Sequence, residues 1–493
     1  MKKILKDLAI FCILAIIIAG IILPRELNNL DEIWNFNFAR NISNGLVPYK
    51  DFNMLQTPLL SMICGGILCL FGQELIVMRI LAIILCTSII FLLYKILTTL
   101  KINEFICVIL LFPIMYMYKD YFTIDYNYAN ILITLLITLL EIKYYNNESK
   151  IKDILFGTLV GLAILNKQTT GIVLAAIFIF YKFLIIDKSN RKIILKSILY
   201  RFIGVAIPIS IGFAYLACNN IIYDFLDYTV YGIKTFNNYI PYTDLLINSK
   251  WYIKIIAIAI PIVIIIMYII TVVKKQENDF SKKLFIIFAY SVAEMVVVFP
   301  ISTFGYLIMG MIDVYIGLMF ILNELIRHKL KENERIFFAC FFQSITILCS
   351  LCVLCVSVVK IIQYAKETKQ YTEVNHYKFI KCDEQNIKIV DEFILDKEKE
   401  QKKVYILDAS AALYMIPIDR YNKNYDMFLK GNLGAKGEEG QIENLKKEKD
   451  IIVLIVNDKY TRNWQNPEKV REYIINNWKK TGEISKFDIY EKN

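Results

Sequence analysis

Twelve apolar runs follow one another along the first part of the chain, at 8 to 24, 54 to 71, 76 to 98, 105 to 118, 128 to 141, 154 to 165, 171 to 186, 199 to 217, 251 to 273, 284 to 299, 305 to 322 and 336 to 360. About 20 apolar residues in a helix cross a bilayer core. Runs of this number and length predict a polytopic α-helical membrane protein with about 11–13 spans. Several runs are shorter than that, which predicts broken or re-entrant helices whose backbone is satisfied inside the protein. After residue 360 the apolar runs shrink to strand length, in VYILD (404 to 408) and IIVLIV (451 to 456). Between them lies the polar, Gly-rich GNLGAKGEEG, and after them the helical pattern PEKVREYIINNWKK, introduced by Pro467. The expected organisation is a membrane module over 1–360 and a small external α/β domain over 361–493. The glycines do not sit at GxGxxG spacing between a strand and a helix, so no nucleotide site is expected there.

Charge adds orientation. Loops 142 to 153, 187 to 201, 274 to 283 and 323 to 335 hold 16 Lys and Arg in 50 positions. Connections 25 to 53, 119 to 127, 166 to 170, 218 to 250 and 299 to 304 hold 7 in 82. The positive-inside rule makes the first set cytoplasmic and the second external. Lys2 and Lys3 before the first run agree, and no small-residue cleavage site precedes Pro24 and Arg25, so that run reads as a retained span. One conflict follows: three full crossings between 54 and 118 would put 119 to 127 inside. A half-span or a missed span between 72 and 118 resolves it, and the odd total leaves the C-terminal tail outside.

Composition narrows the chemistry. Of 493 residues, 57% are hydrophobic and 21% charged, against about 45–50% and about 25% in soluble domains. The net charge of +10 lies almost wholly before residue 361, so the tail offers no nucleic-acid patch. His328 and His376 cannot form a His-rich metal site, and any divalent metal would have to be held by carboxylates. Ten of the 11 cysteines fall in or beside apolar runs, where they pack as small apolar groups.

The most informative stretch is the first external loop, LNNLDEIWNFNFARNISNGLVPYKDFNMLQTPLL. Asp31 and Glu32 follow the first span, and Trp34, Phe36, Phe38 and Ile42 predict a helix at the lipid interface. Acids at a helix start also favour the positive dipole end, so residue type alone leaves both readings open. A second acidic segment, YKDYFTIDYNYAN, carries Asp120 and Asp125 among tyrosines and an amide, the groups that hold sugar hydroxyls and ring faces. Lys167 and Gln168, in LNKQTTG, lie between two short apolar runs. A lysine at membrane depth needs a cavity or a counter-charge such as a lipid phosphate. Glu294 and Asp313 interrupt two late runs and predict buried polar contacts.

The order of a short N-terminus, one span, then "DE", "ARNISNGLVPYKDF" and "TPLL" resembles the glycosyltransferase C superfamily. Within it the chain looks like the bacterial branch related to aminoarabinose transferases and protein O-mannosyltransferases. The resemblance covers roughly residues 1 to 330 and is most specific at 31 to 58. It implies an inverting transfer from a polyprenyl-phosphate sugar to a glycan, lipid or protein acceptor at the outer face of a bacterial membrane. It places Asp31 as catalytic base with Glu32 beside it, Asp125 holding sugar or acceptor, and Lys167, with Gln168 and Arg40, at the donor phosphate. Asp120, Glu294 and Asp313 are secondary candidates. Relatives often carry an acid and a histidine in the late external segment, where this chain has Thr303 and Tyr306. A transporter or lipid flippase is the rival reading, but no paired halves with matching broken helices are visible.

Overall fold

The computed structural model of the chain describes residues 2–145, 149–181, 184, 191–235, 239–273, 278–329, 332–368, 374–421, 425, 427–460 and 466–492. Among the described residues each apolar run overlaps a helix: Lys2–Ile22, Leu59–Phe71, Leu75–Thr99, Glu104–Tyr118, Tyr126–Tyr144, Lys150–Asn166, Gln168–Phe180, Arg191–Cys218, Trp251–Val273, Asp279–Met295, the pair Phe304–Met309 and Ile312–Lys329, and Glu332–Glu367. Among the described residues, five helices are long and apolar enough to cross a membrane: Lys2–Ile22, Leu75–Thr99, Ile193–Cys218, Trp251–Val273 and Phe341–Glu367. Leu59–Phe71, Glu104–Tyr118 and Gln168–Phe180 are the expected short apolar helices. The run at 305 to 322 is broken in two around Gly310 and Met311.

The chain clusters into two compact units, one of Met1–Ile22, Ala82–Gly212 and Tyr239–Ile361, the other of Leu23–Leu81, Phe213–Asn238 and Ile362–Asn493. In the first unit, the ends of the helices sort onto two rims. Asp7 accepts from Lys95 at 2.8 Å, Lys6 pairs with Glu104, and Tyr145 bonds Asp279. Leu100, Lys101, Asn278, Lys283 and Arg327 line one pocket beside them. The N-terminus, residues 95–104 and the basic loops therefore share a rim. One further helix, Glu104–Tyr118, then brings 119–125 to the opposite rim, as the charge contrast requires. There Tyr121 packs on Phe304 and Gly305, and Ile240 bridges Ile301. Leu59–Phe71, in the second unit, is 13 residues and roughly 20 Å long, shorter than a full crossing needs.

Lys150–Asn166 and Gln168–Phe180 fold back on each other across one extended residue, Lys167 (φ −150°, ψ 111°). Gly171 permits the close return, since a Cβ there would stand 2.5 Å from the Ala163 carbonyl oxygen. Near the basic rim Arg201 is buried and holds Glu141 at 2.5 Å, Asp153 at 2.9 Å and the Phe178 carbonyl at 2.6 Å, tying four helices together.

The second unit contains a four-stranded sheet ordered β1-β2-β4-β3, with β1 Lys403–Ile406, β2 Ile451–Val456, β3 Lys479–Ile484 and β4 Phe487–Glu491. All six residues of β2 are buried, as a continuous Ile/Val/Leu run in a central strand should be. It pairs in parallel with β1 and antiparallel with β4. The helix at the end of the chain spans Glu468–Asn477, and Lys479 and Lys480, expected to continue it, open β3 instead. That edge strand is polar and irregular between Lys480 and Gly482, features that discourage further pairing. Its sheet packs over a core including Phe428, Leu445, Val453, Ile474 and Trp478. The helix expected at 31 to 42 forms as Leu30–Ser43, but its aromatic residues do not face lipid. Trp34, Phe36 and Phe38 are buried, Trp34 and Phe38 in a cluster with Phe52, Ile221, Met427 and Leu429.

Candidate active site

Asp31, Glu32 and Arg40 belong to the second unit, while Asp120, Asp125, Lys167, Gln168, Glu294 and Asp313 belong to the first. Asn29 starts the helix Leu30–Ser43, its side chain accepting the Asp31 N–H at 2.9 Å. The two acids that follow then have different surroundings. Asp31 is half-buried, whereas Glu32 is buried and clasped by Arg79, whose Nε and Nη2 donate at 2.7 and 3.2 Å. Arg79 also donates to the Leu23 and Arg25 carbonyls, at 3.1 and 2.7 Å. Glu32 is thus spent on holding the loop entry against the start of Leu75–Thr99. Arg40 is buried as well, and donates to Asp419 at 2.8 Å, with His376 Nε2 at 2.9 Å from the same oxygen. Burial alone would raise the Asp419 carboxyl, but its bonds to Arg40 and His376 prevail and hold it below the usual range.

In the first unit the site grows from two helix starts. Asp125 is the N-cap of Tyr126–Tyr144, its Oδ1 accepting the Asn127 N–H at 2.7 Å. That places Asn127 on the first turn, where its Oδ1 accepts from Lys167 Nζ at 2.5 Å. The Lys167 ammonium also stands 5.1 Å from the Tyr126 ring centre. Lys167 itself immediately precedes Gln168, the first residue of Gln168–Phe180. Asn166 donates to the Tyr126 carbonyl and to Asn130, and Asn130 to Thr170, each at 2.7 Å. These bonds fix the break between the two short helices against the start of a third.

Glu294 and Asp313 are brought together, the Glu294 carboxylate accepting the Asp313 N–H at 2.9 Å while Asp313 accepts from Thr138 at 3.4 Å. Glu294 also lines a cavity with Asn127, Asn130 and Thr170, so it reaches the polar cluster behind Lys167. The cavity leaves about 20 Å³ for the centre of a water, room for roughly one molecule. Asp120 stays apart, exposed in the turn after Tyr118. Among the described residues no group of three or more His, Cys, Asp or Glu is arranged to hold a metal ion. Sequence reasoning missed Arg79, although an arginine inside the run at 76 to 98 was itself a signal of a buried partner. It also passed over Asn130, Asn166 and Thr170, which look unremarkable singly.

Asp391, in the helix Glu384–Lys399, is buried, and its Oδ1 has no hydrogen-bond partner among the described residues. Burial, with Glu392 beside it, pushes its carboxyl up to about 8. The folded state therefore keeps a proton that the unfolded chain releases, so the stability is fullest in acid and is lost as pH rises through about 8. Asp391→Asn should melt several degrees above the parent protein in alkaline buffer, with the gap narrowing in acid. A constant gap across pH in thermal melts would contradict this.

The comparisons with known proteins agree with this architecture. The family model for dolichyl-phosphate-mannose-protein mannosyltransferase matches residues 56–215. The fold is similar to that of ArnT from Cupriavidus metallidurans, solved bound to undecaprenyl phosphate, with a TM-score of 0.53, 11% identity, and 98% of this chain and 97% of that chain covered. The Archaeoglobus fulgidus oligosaccharyltransferase, in complex with Zn and sulfate, aligns with a TM-score of 0.49, 11% identity, and 91% of this chain and 68% of that one. No curated protein matches the sequence. The protein is thus a multi-pass membrane protein of glycosyltransferase C fold. Residues 56–215 are thus similar to the mannosyltransferase family, and the whole chain is similar in fold to ArnT.

Proposed function

We propose that this protein is an inverting membrane glycosyltransferase that moves a sugar from a polyprenyl-phosphate donor to an acceptor hydroxyl at the outer face of a bacterial membrane. Residues 361–493 are extracytoplasmic in this reading. The observation that carries the assignment is the Asp125–Asn127–Lys167 arrangement on the rim opposite the basic loops, in a chain of this fold. Asp31 is the base. It takes the acceptor proton as the oxygen attacks the anomeric carbon, the bond from that carbon to the phosphate oxygen breaks, and polyprenyl phosphate leaves in a single displacement. Lys167 neutralises the leaving phosphate, helped by the positive end of Gln168–Phe180 and by Gln168 itself. Asp125 acts through Asn127 by fixing the turn that seats the ammonium, Glu32 positions the Asp31 turn, and Arg40 is a holding residue rather than a phosphate ligand. The undecaprenyl phosphate bound to ArnT supports this lipid class as the donor carrier. The transferred sugar is a hexose or a pentose.

The lysine gives the test. A charge-assisted contact contributes about 1.5–3 kcal/mol, so Lys167→Gln should weaken binding of undecaprenyl phosphate roughly 10- to 150-fold. Lys167→Arg should keep part of the affinity, because charge matters more than the shape of the ammonium. Equal affinity in all three proteins, measured by titration in detergent, would remove Lys167 from the donor site.

A further inference from the structure

The second unit holds a cleft of about 570 Å³ that the reaction described above does not use. Four lysines from three stretches of chain converge on it: Lys234, Lys430 and Lys436, and Lys469. Its floor is the segment Leu433–Gly440, tied to the 3-10 helix Tyr231–Thr235 by the Thr235 hydroxyl, which donates to the Gly434 carbonyl at 2.8 Å. Gly434 and Gly437 both have positive φ, 73° and 55°, and a Cβ on Gly437 would meet Thr235 at 3.0 Å. The glycines let the two segments close side by side beneath the lysines.

The charges around this cleft are loosely paired. Lys436 stands 3.5 Å from Glu443, Lys469 3.5 Å from Glu439, and Lys430 3.5 Å from Glu468. The ion pairs of the interior close at 2.5 to 2.9 Å. Glu438, the remaining acid of the lining, is engaged elsewhere, accepting the Lys469 and Val470 N–H groups at the start of Glu468–Asn477. Lysines loosely paired with surface carboxylates exchange partners at little cost, and several together attract a chain of anions.

The cleft is mounted on the same packing as the proposed base. Trp34, one turn beyond Asp31, donates its indole N–H to the Ala409 carbonyl at 2.7 Å and clusters with Met427 and Leu429, directly before Lys430. Tyr228 packs against that cluster and its hydroxyl accepts from Asn53, while the neighbouring Asp227 accepts the Ala435 N–H at 3.4 Å on the cleft floor.

We propose that this cleft binds the acceptor, and that the acceptor is a flexible anionic chain bearing several phosphate or carboxylate groups. The inference rests on the transferase reading for the word acceptor, while the anion site stands on the cleft alone. In this arrangement the second unit, which also carries Asp31, holds the chain by its charges and presents one of its hydroxyls for attack.

The test uses the full-length protein in discs of zwitterionic lipid, with fluorescein-labelled short-chain polyphosphate and labelled oligogalacturonate as probes. At low salt at least one probe should bind, and affinity should fall as salt is raised. The double variant K436E/K469E should lose roughly tenfold or more, the effect of several exposed ion pairs, while Asp31→Asn should bind as the parent does. Undecaprenyl phosphate binding by K436E/K469E should be unchanged, and a thermal melt matching the parent's reports that the second unit is folded. Probe affinity that is equal in the parent and K436E/K469E, or absent in both, overturns the proposal. Charge-dependent probe binding in a protein that transfers no sugar would leave the anion site standing and remove the transferase reading instead.

Discussion

Asp31→Asn should lower sugar transfer by about 10²- to 10⁴-fold, the usual contribution of a general base, while leaving the fold and donor binding intact. The substitution removes the proton acceptor but almost no volume. It also leaves the local structure its supports, because the Asn29 cap bonds the backbone of residue 31 and the adjoining ion pair belongs to Glu32 and Arg79. A single displacement forms no covalent enzyme intermediate, so no burst of sugar-labelled protein should appear with either form. Initial rates with saturating donor, alongside undecaprenyl phosphate titrations, separate the two effects. Activity within threefold of the parent would leave Asp31 as a helix-start acid and nothing more.

The second large effect falls on stability. Glu32 and Arg79 have side chains 6% and 1% exposed, and the arginine makes four hydrogen bonds. Removing one member of such a pair strands a buried charge and typically costs about 3–5 kcal/mol. Arg79→Leu should therefore cut the yield of folded protein and lower its melting temperature sharply, and Glu32→Leu should do nearly the same. The double variant E32L/R79L should recover much of the loss, since two apolar groups of similar size replace the pair without an orphaned charge. It should also transfer sugar measurably once folded, because Glu32 positions the turn and does not accept the proton. A folded double variant as inactive as Asp31→Asn would assign the chemistry to Glu32.

How far the sequence could be read depended on the range of the interactions involved. The membrane helices were legible because each is specified locally, by a continuous apolar stretch, and even their unusual shortness was visible at Leu59–Phe71 and Gln168–Phe180. Strand β2 was legible for the same reason. Strand β3 was not, since Lys479–Ile484 is an exposed edge without apolar alternation and follows a helix that its own lysines seemed to extend. In the candidate site, Asp125 and Lys167 were found as isolated polar residues beside apolar runs. Their link through Asn127 joins residues 40 apart and exists only once two helix starts meet. The burial of Trp34 was likewise hidden, because its partner carbonyl, that of Ala409, lies 375 residues away. Interface helices and packed helices share an aromatic pattern, and only the fold distinguishes them.

The most direct test of the account is a transfer assay with the purified protein in liposomes, given a panel of radiolabelled undecaprenyl-phosphate sugars and anionic acceptor chains. The account predicts that one donor yields free undecaprenyl phosphate and labelled acceptor in equal amounts, and that Asp31→Asn yields neither. Movement of the intact donor across the bilayer, with no sugar leaving its phosphate on any member of the panel, would contradict it.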